Sequence, residues 1–202
     1  MKNINFSVKS SLAWSVIITS LALSACGGSN NNAVIEEVNK VFKVTVKNVT
    51  ANQPLSPIAV VIHKPTYHLF QLGQSASVGL ENLAEGGSNQ QVLDEASADS
   101  AFVTSMSGAA PIGPGGSETL EISVADTESG YSVSVATMLV NTNDAFAGVI
   151  SNKIAGLGNG ESFSMHVPIW DAGTEANSEA AGTLPGPADG GEGFNASRAD
   201  DV

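Results

Sequence analysis

The chain has 202 residues, with 8 Lys/Arg against 20 Asp/Glu, a formal charge of −12 at pH 7 and one cysteine. Such an acidic balance argues against a nucleic-acid or anionic-lipid surface, since both need a basic footprint. A single thiol excludes an internal disulfide and a cluster of thiolate metal ligands.

In chain order, the first element is an address. "MKNINFSVKSS" carries Lys2 and Lys9 without an acid, and the apolar run "LAWSVIITSLAL" that follows is shorter than the ~20 residues needed to cross a bilayer. The run ends in "LSACGG". Small residues before a lone cysteine resemble the lipobox of bacterial lipoproteins, which implies a signal peptide over residues 1–25 and a diacylglyceryl thioether on Cys26. The alternative is an ordinary cleavage site beside a free or buried cysteine. Gly27 follows, without the Asp of the usual inner-membrane retention signal. In a cell with two membranes, the resemblance therefore implies an outer-membrane lipoprotein on the periplasmic or surface side of the envelope. Loss of Lys2 and Lys9 leaves 6 basic residues against 20 acids, a charge of −14, which suits a cation-rich exterior.

Residues 26–40, beginning "CGGSNNN", read as a flexible tether. Regular structure is expected from Val41: "VFKVTVKNV" alternates Phe42, Val44 and Val46 with Lys43, Thr45 and Lys47, the period of a half-buried strand. "SPIAVVIHK" reads as a more fully buried strand. "SASVGLENLAEGG" reads as a short helix capped by Ser77 and stopped by Gly86 and Gly87. "ETLEISVA" and "YSVSVATMLV", joined by the polar "DTESG", read as a hairpin. "SFSMHVPIW" is one further strand, with Phe163, Met165, Val167 and Ile169 on one side. Short strands, Gly-rich connections and one or two short helices predict an all-β fold, an antiparallel β-sandwich over residues 41–202. The tail from Asp171 is rich in Gly, Ala, Pro and acids, so a final strand is expected to be missing and an edge left unpaired.

Catalytic constellations are sparse. The sequence has no "GxSxG" elbow, and "GPGG" at 113–116 lacks the Lys-Ser/Thr of a phosphate loop. His63 and His68, in "HKPTYH", could serve zinc or be structural, and zinc wants four ligands that cysteines cannot supply here. What remains is oxygen ligands for a hard cation. Glu121, Asp144, Asp171 and Glu175 fall at expected strand ends. Each is a candidate ligand or a solvated loop acid, and Asp144 in "NTNDAF" also suits a plain turn.

Three stretches together resemble the spondin N-terminal domain family. They are "SPIAVVIHKPTYHLFQLGQSASVGLENLAEGG", "NDAFAGV" and "IWDAGTEANSE", in the family's order, within a match from about Val41 to about Phe194. The resemblance implies a β-sandwich with a metal site at one end, with Glu121, Asp144, Asp171 and Glu175 as calcium ligands. Two positions depart from the family pattern: Ala145 stands for a Trp, and Glu175 for an Asp. The expected protein is a lipid-anchored, non-enzymatic calcium-binding module for adhesion, its partners the membrane through Cys26 and a matrix polysaccharide or surface protein. A metal-dependent envelope hydrolase using His63, His68 and nearby acids is one alternative, and a purely structural envelope lipoprotein is another.

Overall fold

The computed structural model describes residues 4–14, 38–125, 130–178 and 180–195. Cys26, most of the tether and the link 126–129 lie outside the described residues. The elements are β1 Ile4–Trp14, β2 Val38–Asn48, β3 Ala59–His63, α1 Val78–Gly86, α2 Gln90–Ala98, β4 Phe102–Ser107, β5 Ser117–Ala125, β6 Ser132–Met138, β7 Ala145–Lys153, β8 Ser162–His166 and β9 Ile169–Asp171. All pair antiparallel, in one sheet ordered β5-β2-β1-β8 and a second ordered β4-β3-β6-β7-β9. The fold is the all-β sandwich that the strand periods predict.

Alternation explains the first sheet. Phe42, Val44 and Val46 of β2 and Leu120, Ile122 and Val124 of β5 point inward and are buried, while Lys43, Thr45 and Glu121 lie on the outer face. The second sheet behaves differently because helices cover its other side. Val60, Ile62, Val133 and Val135 pack into the core between the sheets, and Ala59, Val61, Ala136 and Met138 pack beneath Leu80, Leu83, Val92 and Ala96 of the two helices. β3 and β6 are therefore buried on both faces, which is why "IAVVIH" reads as an unbroken apolar run.

Helix α1 begins and ends as its sequence dictates. Ser77 Oγ accepts the Leu80 N–H at 3.2 Å, and Gly87, at φ 71°, closes the last turn through its N–H to Leu83 O. Glu95 of α2 ties the two helices together by accepting from Ser77 Oγ and from the Gly79 N–H, both at 2.7 Å.

Three expectations are corrected. "ETLEISVA" and "YSVSVATMLV" do not form a hairpin: β5 pairs with β2 in the first sheet, and β6 lies between β3 and β7 in the second. Their burial explains the split, since β5 buries one face only and suits an edge, whereas β6 is buried throughout. "SFSMHVPIW" is two strands rather than one. Pro168 has no N–H to continue a ladder, and across Val167 and Pro168 the chain leaves the first sheet as β8 and enters the second as β9. Finally, β2 begins at Val38 rather than Val41. Residues 4–14, within the stretch that reads as a leader, form β1 inside the first sheet of the uncleaved chain.

Candidate metal centre

Asp144 lies at the entrance to β7, and its turn is fixed locally. Thr142 Oγ1 donates to Leu139 O at 2.6 Å and accepts the Ala145 N–H at 3.1 Å. β9 then brings the "DAGTE" loop alongside, through the Ala145–Asp171 pair and the Ala172 N–H to Asp144 O. Asp144 is 1% exposed. Its Oδ2 accepts the N–H groups of Thr174 at 2.9 Å and Glu175 at 3.1 Å, with Thr174 Oγ1 at 3.5 Å. One carboxylate oxygen thus anchors a loop thirty residues further along the chain.

The electrostatics of this position are unfavourable to a lone anion. Burial pushes the Asp144 carboxyl above its usual pKa; the two loop N–H groups pull it back, and the charges of Asp171 and Glu85 push it up again. Both charges that act on it are negative. Asp171 is exposed and folded onto its own loop, its Oδ1 accepting the Gly173 N–H at 2.8 Å and its Oδ2 the Asn177 side-chain amide at 3.0 Å. The Glu175 side chain is buried, and its carbonyl accepts from the Asn143 amide at 3.4 Å. A cavity of about 530 Å3, walled by Asn143, Ala176, Asn177 and Asp189, opens beside the loop.

Glu121 is not brought to this place. It stands on the outer face of β5 opposite Lys43 of β2, and its carboxylate pairs with the Lys43 ammonium at 2.7 Å. Glu85, by contrast, is a carboxylate that sequence reasoning passed over. It is 1% exposed at the end of α1, and its Oε2 accepts the Asn195 N–H at 3.3 Å. Helical period puts position 85 on the face of Glu81, away from Leu80 and Leu83, so local pattern predicts exposure. Burial comes from the segment around Phe194 and Asn195, 110 residues away, and the only local hint is the acid inside "LAEGG".

The donor chemistry fits a hard cation in part. Asp144, Asp171, Glu175 and Glu85 supply carboxylates, but among the described residues no three acid or histidine side chains converge closely enough to hold an ion by themselves. Loop carbonyls and water would have to complete a calcium shell of six to eight oxygens.

The histidines behave as structural and surface residues. His63 is fully buried, with Nδ1 at 2.8 Å from Lys64 O and Nε2 at 2.8 Å from Ser134 Oγ. A carbonyl can only accept, so Nδ1 carries the proton and Nε2 accepts from the Ser134 hydroxyl, whose oxygen in turn accepts the Ser151 N–H. Burial pushes the pKa of His63 down. Both of its nitrogens are engaged, and His68 is exposed, so the pair offers no prepared zinc site.

Two antiparallel sheets over a shared core, one of them roofed by helices, with a loop of acids at the ends of β7 and β9, make this a β-sandwich module. Residues 45–182 match the Spondin_N family, and the chain belongs to that spondin N-terminal domain family. The match runs from β2 to the segment just after the acidic loop, so β1 stands outside it. No curated protein matches the chain. Membership points to an extracellular binding or adhesion-type module. Among the described residues no helix is long and apolar enough to cross a membrane.

Proposed function

We propose that the protein is a lipid-anchored, non-enzymatic binding module of the cell envelope, held in the outer membrane through Cys26, whose acidic loop takes calcium. The observation that carries the calcium reading is Asp144: a buried carboxylate that anchors a distant loop while the charges acting on it are negative. In this reading Asp144 and Glu175 hold the ion, with Asp171 turning inward and Glu85 balancing charge from the helix end. A bound divalent ion supplies the positive charge that the described residues around Asp144 do not. It clamps β7 to the loop after β9, the work a disulfide does in chains with more than one cysteine.

The chain's own residues support binding rather than catalysis, because His63 is committed to its neighbours in the core. The partner belongs outside the cytoplasm and is a matrix polysaccharide or a surface protein, for which the acidic domain is recruited through calcium. Thermal unfolding in chelator and then in millimolar calcium tests the metal. A midpoint raised by calcium in the parent chain and unmoved in Asp144→Asn is the expected result, by mass action. Equal midpoints in the two buffers for the parent chain would sink the metal reading. Binding to matrix prepared from the parent cell, abolished by chelator, separates an adhesive module from a purely structural lipoprotein.

A further inference from the structure

β1 is an internal strand. It pairs along all eleven residues with β2 and over five with β8, and the stretch facing β8 is bounded by the Ser10 N–H to Glu161 O and the Val167 N–H to Ile4 O. Ile4, Phe6, Val8 and Ser10 face inward and are at most 1% exposed, and Phe6 meets Phe163 edge-on at 5.9 Å. The same segment, with Lys9 in it, belongs to the stretch that reads as the leader. One segment cannot both stay in this sheet and be removed ahead of Cys26.

We propose that the channel between β2 and β8 is a strand-acceptor site, filled in the full chain by residues 4–14 and, once the leader is removed, by an extended segment of a partner polypeptide. This rests on the lipoprotein reading for the removal step, not for the site itself. Without β1, two strand edges face each other across about 9.5 Å, twice the normal strand spacing, with their N–H and C=O groups unpaired. The gap cannot close by a simple shift. β2 is held by β5 along nine residues, and β8 runs within three residues into β9, which is paired to β7 in the other sheet.

β1 itself defines the chemistry of the occupant: an extended segment, antiparallel to both neighbours, with bulky apolar side chains at three alternate positions, a small one at the fourth, and polar residues between. Between Gly27 and Val202 no run outside the paired strands has this pattern. Between Cys26 and β2 the apolar residues Ala33, Val34 and Ile35 are consecutive rather than alternating. After β9, residues 180–195 are occupied elsewhere, with Ala188 N–H on Asn141 and Asn195 N–H on Glu85.

The test uses the full chain with a specific protease site placed within residues 27–37. After folding and cleavage, the N-terminal piece is expected to stay bound and to be displaced by excess labelled peptide of sequence Asn3–Leu12, but not by the same peptide carrying Phe6→Asp. Stripping the piece should lower the midpoint by at least about 10 °C, and adding the peptide should restore it. In the uncut chain, Phe6→Asp should also lower the midpoint, which keeps the slot testable if the stripped protein precipitates; an unchanged midpoint overturns the proposal. So do three other outcomes: a stripped monomer that keeps its midpoint and ignores the peptide, which means the chain's own residues close the gap; a stripped dimer that keeps it, which means a second copy does; and a piece that leaves on cleavage without effect. The intact mass of the protein from the envelope is read separately. A retained leader would defeat the lipoprotein reading while leaving the exchange result standing.

Discussion

Replacing Asp144 separates a loop anchor from an ion ligand. Asp144→Ala removes the acceptor for two buried N–H groups, those of Thr174 and Glu175 at 2.9 and 3.1 Å. A buried donor left without a partner costs about 1–3 kcal/mol, so the pair would cost roughly 2–6 kcal/mol. Relief of a buried charge offsets part of this, and a net loss of roughly 2–4 kcal/mol is expected, which lowers the midpoint of a domain this size by about 5–15 °C. Asp144→Asn keeps an acceptor oxygen and should lose less than about 1 kcal/mol in chelator. The pH dependence carries the sign. Burial and the neighbouring acids raise the folded pKa above the unfolded value, so the native state binds the proton more tightly. In chelator the parent chain should therefore gain on Asp144→Asn as pH falls through the folded pKa towards the unfolded one, and lose that gain as pH rises. Calcium binds the charged form and should reverse the slope. The assay is thermal unfolding of the parent, Ala and Asn chains across pH, with and without calcium. Equal midpoints for Ala and Asn in chelator, or a parent chain that gains on Asn with rising pH in chelator, would refute the reasoning.

Other positions test the remaining assignments. Because Glu121 is exposed and its carboxylate pairs with Lys43, Glu121→Gln should change stability by less than about 1 kcal/mol and leave any calcium response intact; a lost response would return it to the site. His63→Ala strips a buried ring from Lys64 O and Ser134 Oγ and should cost about 3–5 kcal/mol by urea unfolding. The folded pKa of His63 is depressed, so the unfolded state binds its proton first, and stability should fall as pH drops below about 6.5; His63→Asn should flatten that limb. A Cβ at Gly148 would meet the Phe70 ring at 2.6 and 2.7 Å, so Gly148→Ala should cost about 1–3 kcal/mol and alter the fluorescence of Trp170, whose indole N–H donates to Gly148 O.

The sequence is a good guide where period and local chemistry decide, and a poor one where distant chain segments do. β2, β3 and α1 are legible because a single face, a double-faced run and a Ser/Gly pair of caps leave their marks within ten residues. α2 is less legible, since only Val92, Leu93 and Ala96 of "QQVLDEASA" are buried and the rest, apart from Ala98, is polar. The partnership of β5 and β6 is misjudged because neighbouring alternating runs look like a hairpin, while sheet assignment depends on which strand the helices cover. Asp144 and the "DAGTE" loop are visible as strand-end acids, but Glu85 is hidden by a helical period that says outward. β1 is hidden for another reason. Ile4, Phe6 and Val8 alternate plainly, yet the charge of Lys2 and Lys9 and the apolar run behind them give the same residues an address.

The pairing of chain ends in the first sheet has a kinetic consequence. Asn5 is opposite His166, a pairing that spans most of the sequence, and Lys47 is opposite Ser117, one that spans about a third of it. Contacts of such separation form slowly, because the loop must close before any pairing compensates for the lost chain entropy. A chain emerging from its amino end can pair β1 with β2 once residue 48 is out, a two-stranded unit that is marginal by itself, and it meets β5 only after residue 117 and β8 only after residue 162. Until then the emerging polypeptide stays threadable, and a translocation pore that accepts only unfolded chains has that interval in which to take it.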